Sequence, residues 1–540
     1  MKNAWGPLAA VCALVLGVYA YAAHSGMMES LTLKAADTYY NLLVQGFRAG
    51  QLSLNKEAPP GLVQLADPYD PAANAPYRST PYGVHDMSYY HGKLYLYFGV
   101  TPALLLFWPF VALTGHYLFH RQAVAIFCAI GFLASAGLLR DLWRRYFAEV
   151  SVGVVAACAL ALGLATGLPV FLSGAEVYQV PISCGYMLTM LALAAIWRAW
   201  HEPERRCRWL AVASVAYGLA VGARPNLLFG AIILLVPVAQ AWREQRPRKL
   251  SGLLAATVPI LLIGLGLMLY NARRFDSPFE LGMHYALSGE RQSAVQLFSL
   301  RYLWFNFRVY FLEPARWTGH FPFVHGITVS PLPAGYGWVE GAFGILTNIP
   351  VVWLALAAPL AWRSRSGQAA SILRWFVTVV ALFFGICALT LGLFRTATSR
   401  YEVDFLPALL LLAVVGILGL ERAVADRPAW RRAVHWGWGL LLGFSVAFNQ
   451  LATVEHHARM HNDLGVVVGR GGRIQEAIGH FEEALRIAPE YDEAHYNLGV
   501  ALEQAGRSQE AIKQYEQVLR ITPGFTEARD ALARLQTGGK

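Results

Sequence analysis

Residues 252–272 read GLLAATVPILLIGLGLMLYNA, with no charged side chain among them. A helix rises 1.5 Å per residue, so about 20 such residues cross the roughly 30 Å hydrocarbon layer of a bilayer. Further runs of this kind lie near 7–23, 94–115, 119–139, 150–171, 178–199, 208–222, 224–243, 343–362, 371–393, 403–420 and 433–451. The sequence therefore predicts an all-α polytopic transmembrane bundle of about 11–13 spans. Composition agrees: the 540 residues are 56% hydrophobic and 14% charged, against about 25% charged in a soluble domain. A mainly water-soluble fold is excluded. The first run reads as a signal anchor or true span, because 20–22 is a weak cleavage site. The six cysteines sit in or beside apolar runs without paired or metal-like spacing and leave the redox compartment open.

Lys and Arg collect near 140–145, 198–208, 243–249, 363–365 and 422–432, which marks these loops as cytoplasmic. The outer face then receives 172–177, the long 271–341 segment, 394–404 and everything after about 451. One conflict arises. With Lys2 inside, loop 24–93 is outside, and two further spans would put 140–145 outside as well. One segment is miscounted, within 94–139 or among the early helices generally. Loop 24–93 is kept outside because its Pro-, Asp- and aromatic-rich composition matches the other outer loop.

Self-similarity at a period of 34 fixes the C-terminal part. The shift superposes Leu464-Gly465 on Leu498-Gly499, Gly472-Arg473 on Gly506-Arg507, and Glu476-Ala477 on Glu510-Ala511. It also pairs Phe481 with Tyr515 and Pro489 with Pro523. Small residues let two helices approach, an aromatic fills the gap, and proline stops the second helix. This pattern resembles the tetratricopeptide repeat (TPR). The chain divides into a membrane domain, 1–455, with outer loops 24–93 and 272–342, and a TPR domain, 456–540, of two repeats plus a capping helix. Residues 463–540 carry a net charge of −3 against +13 for the rest. That excludes a nucleic-acid partner for the module and leaves docking of a protein or peptide.

Ionisable groups stranded beside spans are costly unless they serve a site or a pair. The first outer loop holds Asp37, followed by Asp67-Pro68-Tyr69-Asp70-Pro71, where turn formation is the default. It ends in Asp86-Met87-Ser88-Tyr89-Tyr90-His91-Gly92-Lys93 at the entrance of the next run. Glu176 lies in the short loop before 178–199.

In order along the chain come Asp37, the entry 93–102, Gly222-Ala223-Arg224-Pro225, Tyr270-Asn271 with Arg274-Phe275, and Ser399-Arg400-Tyr401 before Pro407. With these motifs the membrane portion resembles the GT-C superfamily of multi-spanning glycosyltransferases, which includes protein mannosyltransferases and aminoarabinose transferases. The resemblance implies a polyprenyl-phosphate-linked sugar as donor, inversion at the anomeric centre, and a loop carboxylate as base, here Asp37. It implies substrate or phosphate binding by Lys93, Arg224, Arg274, Arg400 and Tyr401. Glu176, Asp86 and His91 are candidates for acceptor or divalent-cation binding. Many members carry two adjacent acids at the first motif, whereas Asp37 is followed by Thr38, so the base and any metal stay open. Each residue also has a plainer reading: headgroup anchoring for Arg274 and Arg400, capping for Asp37, surface decoration for His91. The expected location is the bacterial inner membrane, with catalytic loops and TPR on the periplasmic side. The competing class is a membrane-anchored TPR scaffold without catalysis. A transporter is disfavoured because the spans show no internal duplication.

Overall fold

The structure, a computed structural model, describes residues 5–25, 34–78, 83–244, 249–327, 329–363 and 365–537. Lys2 and parts of the first outer loop lie outside them. Eight helices among these residues are long and apolar enough to cross a membrane, and three shorter apolar helices accompany them. Leu406–Ala423 runs through the centre, 83% of it buried, whereas Lys249–Phe275 is 11% buried. The latter turns Leu254, Leu261, Leu262, Leu265 and Leu269 outward. A helix coated with exposed leucine is stable only against lipid, and the chain is an integral membrane protein.

The contacts sort the helices into passes between two ends of the bundle. At the basic end Tyr146 meets His201 at 2.9 Å, Ser371 donates to Glu244 at 3.0 Å, and Arg422 pairs with Glu149 at 3.2 Å. At the other end, called here the loop end, Ser173 meets His456 at 3.0 Å, Arg274 donates to the Leu96 carbonyl at 2.7 Å, and Arg395 pairs with Glu290 at 2.7 Å. Among the described residues eleven passes join these ends. They are the eight long helices, Val152–Leu164 continued by Leu168–Ser173, the stretch ending in Pro350–Arg363, and the 18-residue helix Arg206–Ala223.

The segment expected to span at 94–115 is not one of the passes. It opens as a strand, Lys93–Tyr95, continues irregularly to Pro102, and becomes helical only over Ala103–Thr114. Twelve residues reach about 18 Å, too short for the hydrocarbon layer. The chain also stays at the loop end: Asn41 Nδ2 donates to the Leu118 carbonyl at 2.7 Å, and His120 packs edge-on to Tyr40 at 5.8 Å. The next helix, His120–Tyr146, starts where the first outer loop is and delivers 140–145 to the basic end. The parity conflict in the sequence disappears.

Two passes draw part of their length from 3₁₀ geometry. Pro225–Leu235 is a 3₁₀ helix that continues as the α-helix Val236–Arg243, and Pro350–Ala357 behaves alike. At about 2.0 Å per residue, 3₁₀ winding lets 19 residues reach further than α winding allows.

The last pass, Pro428–Arg470, is one helix of 43 residues that leaves the bundle and becomes the first helix of the repeats. It crosses position 455 without a break. Ile474–Ile487, Asp492–Gln504, Ser508–Ile521 and Thr526–Thr537 complete the array. A Cβ on Gly465 would stand 2.5 Å from the Phe481 ring, and one on Gly499 would stand 2.6 Å from the Tyr515 ring. The 34-residue shift thus maps one glycine–aromatic contact onto the other. The repeats have their own core, in which Leu464, Phe481, Leu498 and Tyr515 are buried.

In a chain freed of its native cysteines, a cysteine at exposed His116 will react with a membrane-impermeant maleimide from the same side as one at Asn55. A cysteine at Arg144 will react only from the opposite side. Labelling of position 116 from the Arg144 side would restore 103–114 as a full crossing.

Candidate functional site

The loop end is built from four irregular stretches knitted by backbone and side chain. Asp86 N–H donates to the Leu287 carbonyl at 3.0 Å, Leu287 N–H to Met87 at 2.8 Å, and the Ser88 hydroxyl to Gly282 at 2.8 Å. Arg291 pairs with Asp67, and Tyr90 donates to Asp276 at 3.0 Å. The two large outer loops therefore form one layer over the bundle.

Two arginines organise the layer's inner face. Arg224 ends helix Arg206–Ala223 in extended backbone, just before Pro225. Its guanidinium donates to Asp404 Oδ2 at 2.5 Å and lies 5.0 Å from the Tyr401 ring centre. Its Nε is buried with no hydrogen-bond partner among the described residues. Arg400 sits on the 3₁₀ turn Ser399–Asp404. It pairs with Glu340 at 2.9 Å and lies 5.0 Å from the Tyr178 ring centre. The Tyr178 hydroxyl donates to Asp86 Oδ2 at 2.5 Å. Burial first, and then Asp86, hold the Tyr178 phenol well above its ordinary pKa, and the same two causes followed by Glu176 act on Tyr39. Glu340, Arg400, Tyr178 and Asp86 form one chain of contacts; Asp404, Arg224 and Tyr401 form its neighbour.

The seat of Arg224 is made by close packing. A Cβ on Gly99 would stand 2.2 Å from the Ala223 carbonyl oxygen and 2.4 Å from that of Gly222. Glycine at 99 is what lets the entry to 103–114 touch the turn before Arg224. Tyr40 donates to the Gly99 carbonyl at 3.1 Å from the other side.

Asp37 lies on the exposed rim of the layer, at the end of the turn Ala35–Asp37. Among the described residues nothing donates a hydrogen bond to its carboxylate. Its charged neighbour is Lys56, which burial draws below the usual lysine range while Asp37 pulls it back up. Glu176 is half-buried between Tyr39 and Tyr178.

Arg274, His91 and Lys93 stand apart from this cluster. Arg274 is buried, with Nη1 on the Leu96 carbonyl and Nη2 on Asn271 Oδ1 at 2.8 Å, and its plane lies 4.0 Å from the Tyr270 ring centre. Its terminal nitrogens tie the helix end Lys249–Phe275 to the strand. His91 and Gly92 have φ of 47° and 76° and form the tight turn between strands Ser88–Tyr90 and Lys93–Tyr95. Two positive φ values suit the twist of a hairpin, and His91 stacks on Tyr90 at 4.1 Å. Lys93 is exposed, opposite Tyr90. Among the described residues no three His, Cys, Asp or Glu side chains are grouped to hold a metal ion.

An apolar cavity of about 430 Å³ lies between the helical stretch 303–312, Pro350–Ala357 and the end of Gly367–Gly392. Asn306, Tyr310, Phe311, Trp353, Phe384 and Leu409 line it. The Tyr310 hydroxyl accepts from Thr398 N–H at 3.3 Å and lies within electrostatic reach of Arg224. Tyr310 and Phe311 also pack on Phe405, the residue after Asp404, so one wall of the cavity adjoins the Arg224–Asp404 pair. Sequence reading missed Asp404, Glu340, Tyr178 and Lys56; of these Asp404 carried a signal, an acid at the mouth of an apolar run.

The Arg224–Asp404 pair is buried, with side-chain exposures of 13% and 3%. Asp404→Asn leaves the guanidinium without its counter-charge, which costs about 3–5 kcal/mol and will show as a lower thermal unfolding midpoint. Replacing both by Leu will recover most of that loss. Equal midpoints for wild type and Asp404→Asn would show that the pair is solvated.

Comparison with known proteins matches 471–535 to the tetratricopeptide-repeat family model. No curated protein matches the chain. Among solved structures the chain is similar to ArnT from Cupriavidus metallidurans bound to undecaprenyl phosphate, at 14% identity over 90% of this chain and 80% of that one, with a TM-score of 0.42. The same protein in the apo state matches at 15% identity over 73% and 70%, with a TM-score of 0.35. A crystal structure of MamA matches at 20% identity over 23% of this chain and 77% of that one, with a TM-score of 0.15. The glycine–aromatic contacts, the 34-residue period and the family match agree: the C-terminal array is a tetratricopeptide-repeat module, carried on a polytopic membrane bundle.

Proposed function

We propose that the protein is a membrane glycosyltransferase that moves a sugar from a polyprenyl-phosphate donor to an acceptor at the loop end of the bundle, with inversion at the anomeric carbon. The observation that carries this reading is the apolar cavity whose wall at Tyr310 and Phe311 packs on Phe405, next to the Arg224–Asp404 pair. That shape suits an amphiphile with a hydrocarbon tail and a phosphate head. Arg400 is the readier phosphate ligand, because its partner Glu340 is half exposed and exchanging partners there costs little. Arg224 offers its unfilled Nε from beneath, and Tyr401 positions it.

The chemistry needs few groups. The acceptor gives its proton to a base as its oxygen forms the new bond to the anomeric carbon. The bond from that carbon to the phosphate oxygen breaks with its electron pair, and the arginines stabilise the phosphate left behind. Asp37 is the base. It is exposed, and among the described residues no group donates to it, whereas Asp86 is already engaged by Tyr178. Asp86 and Glu176 are the pair we assign to a divalent cation, since magnesium sites often use one or two carboxylates plus substrate phosphate oxygens.

The gathering of basic loops at the opposite end supports a cytoplasmic assignment for that end. The loop end and the repeats then face the periplasm of a bacterial inner membrane, where the repeats dock the acceptor or a protein partner.

The test is transfer of radiolabelled sugar from a panel of polyprenyl-phosphate donors in reconstituted vesicles. Asp37→Asn will lower the rate by about 10²–10⁴-fold with donor KM unchanged, and Arg400→Ala will raise donor KM. Chelation will separate metal-dependent from metal-free transfer. Unchanged transfer by Asp37→Asn removes it as base, and no transfer from any donor leaves the scaffold reading.

A further inference from the structure

A second large cavity shares no lining residue with the first. Helices His120–Tyr146 and Arg206–Ala223 both pack on Gln179–His201 and diverge on its outer side. The groove between them has a volume of about 840 Å³. Its floor is made of small residues, Ala134, Gly137, Ala194 and Ala211, and its walls of larger ones. Ile130, Leu133, Leu191, Val212 and Val215 stand 37–45% exposed along it. A Cβ added at Gly137 would meet nothing within 4 Å.

At the basic end the groove does not close. It meets a polar pocket of about 500 Å³ through three shared residues, Asp141, Trp197 and Arg198. Arg140 and Arg208 line the groove where they meet, and Arg144 and Arg145 line the pocket. The acids present are already engaged. Asp141 accepts from Arg140 at 2.7 Å, and Glu202 accepts from Trp209 at 2.9 Å and faces Arg205 at 3.9 Å. Arg198 lies 4.7 Å from the Trp209 ring centre, which holds its guanidinium at the junction. Arg198 and Arg208 thus stand where an apolar-lined groove opens onto a pocket whose two carboxylates, Asp141 and Glu202, are already engaged.

We infer that this groove is a binding site for an anionic glycerophospholipid. Its acyl chains lie between His120–Tyr146 and Arg206–Ala223, and its phosphate head is held by Arg198 and Arg208 at the pocket. Ordinary annular lipid covers apolar surface without regard to headgroup, whereas a groove ending in a basic pocket distinguishes an anionic head from a zwitterionic one. Guanidinium suits this role because its planar fork pairs with phosphate oxygens. The site stands independently of the transfer chemistry, since none of the residues proposed for transfer lines it.

The experiment is native mass spectrometry of the full chain in detergent, titrated with phosphatidylglycerol or with phosphatidylcholine of the same acyl chains. One phosphatidylglycerol will be retained at least tenfold more strongly than phosphatidylcholine. Gly137→Leu, which fills the floor, will abolish this preference, and so will the double variant Arg198→Ala with Arg208→Ala. Arg432→Ala, at the same end but outside the groove, will keep it. Both arginines of the double variant are exposed, so it tests the site even where Gly137→Leu fails to fold. Equal retention of the two lipids, a preference that survives both groove variants, or its loss in Arg432→Ala would overturn the inference.

Discussion

A backbone surrounded by hydrocarbon must satisfy its own hydrogen bonds, and this condition decides where the protein is permitted to be irregular. Inside the bundle the described chain is mostly helical; it changes winding at Pro225–Leu235 and Pro350–Ala357, and it breaks at 165–167, where Ala165 and Thr166 are buried in protein. The large irregular stretches meet at one end. There they bond to each other, as the Asp86, Leu287 and Met87 backbone exchange shows. A layer able to position arginines, tyrosines and carboxylates with little regular structure exists because the bundle beneath it is fixed.

The same condition explains what sequence reading could and could not see. Runs of about 20 apolar residues are a one-dimensional property, so most passes were legible, and so was the repeat, whose period is a property of sequence alone. The stretch 94–115 misled because apolar composition does not say whether a residue faces lipid or protein. Leu94, Leu96, Val100, Ala103 and Phe107 are all buried inside the protein. Gly99 and Pro102 were the available warning, since both argue against an uninterrupted helix. Site residues were legible as chemistry and not as geometry. Arg224 and Arg274 look equivalent as basic residues beside apolar runs. Only the fold shows one over Tyr401 at the layer and the other occupied by Leu96 and Asn271. The partners Asp404 and Glu340 are 180 and 60 residues away from the arginines they meet, beyond any local pattern.

The repeats are not a loose appendage of this layer. His320 of the second outer loop pairs with Glu490 at 2.8 Å, and Gly326 lies close enough to Arg459 that a Cβ there would stand 2.7 Å from its guanidinium. The hairpin of Arg316–Trp317 with Val324–His325 is thereby held against the first helix of the array. Ser173, in the short loop before Tyr178, meets the same helix at His456. The side chains next to the arginine layer and those that seat the repeats are therefore separated by only a few residues.

The helix Pro428–Arg470 has no joint where it leaves the bundle. A rod of 43 residues is about 65 Å long, and a tilt of about 10° about its Pro428 end carries the far end sideways by roughly 11 Å. Bilayer thickness is one of the quantities that set helix tilt. A body seated on the repeats thus shares a lever with the lipid around the opposite end of the helix. Because Ser173 and the outer-loop hairpin touch that helix at His456 and Arg459, a tilt of the helix moves the seat of the loop layer together with the repeats.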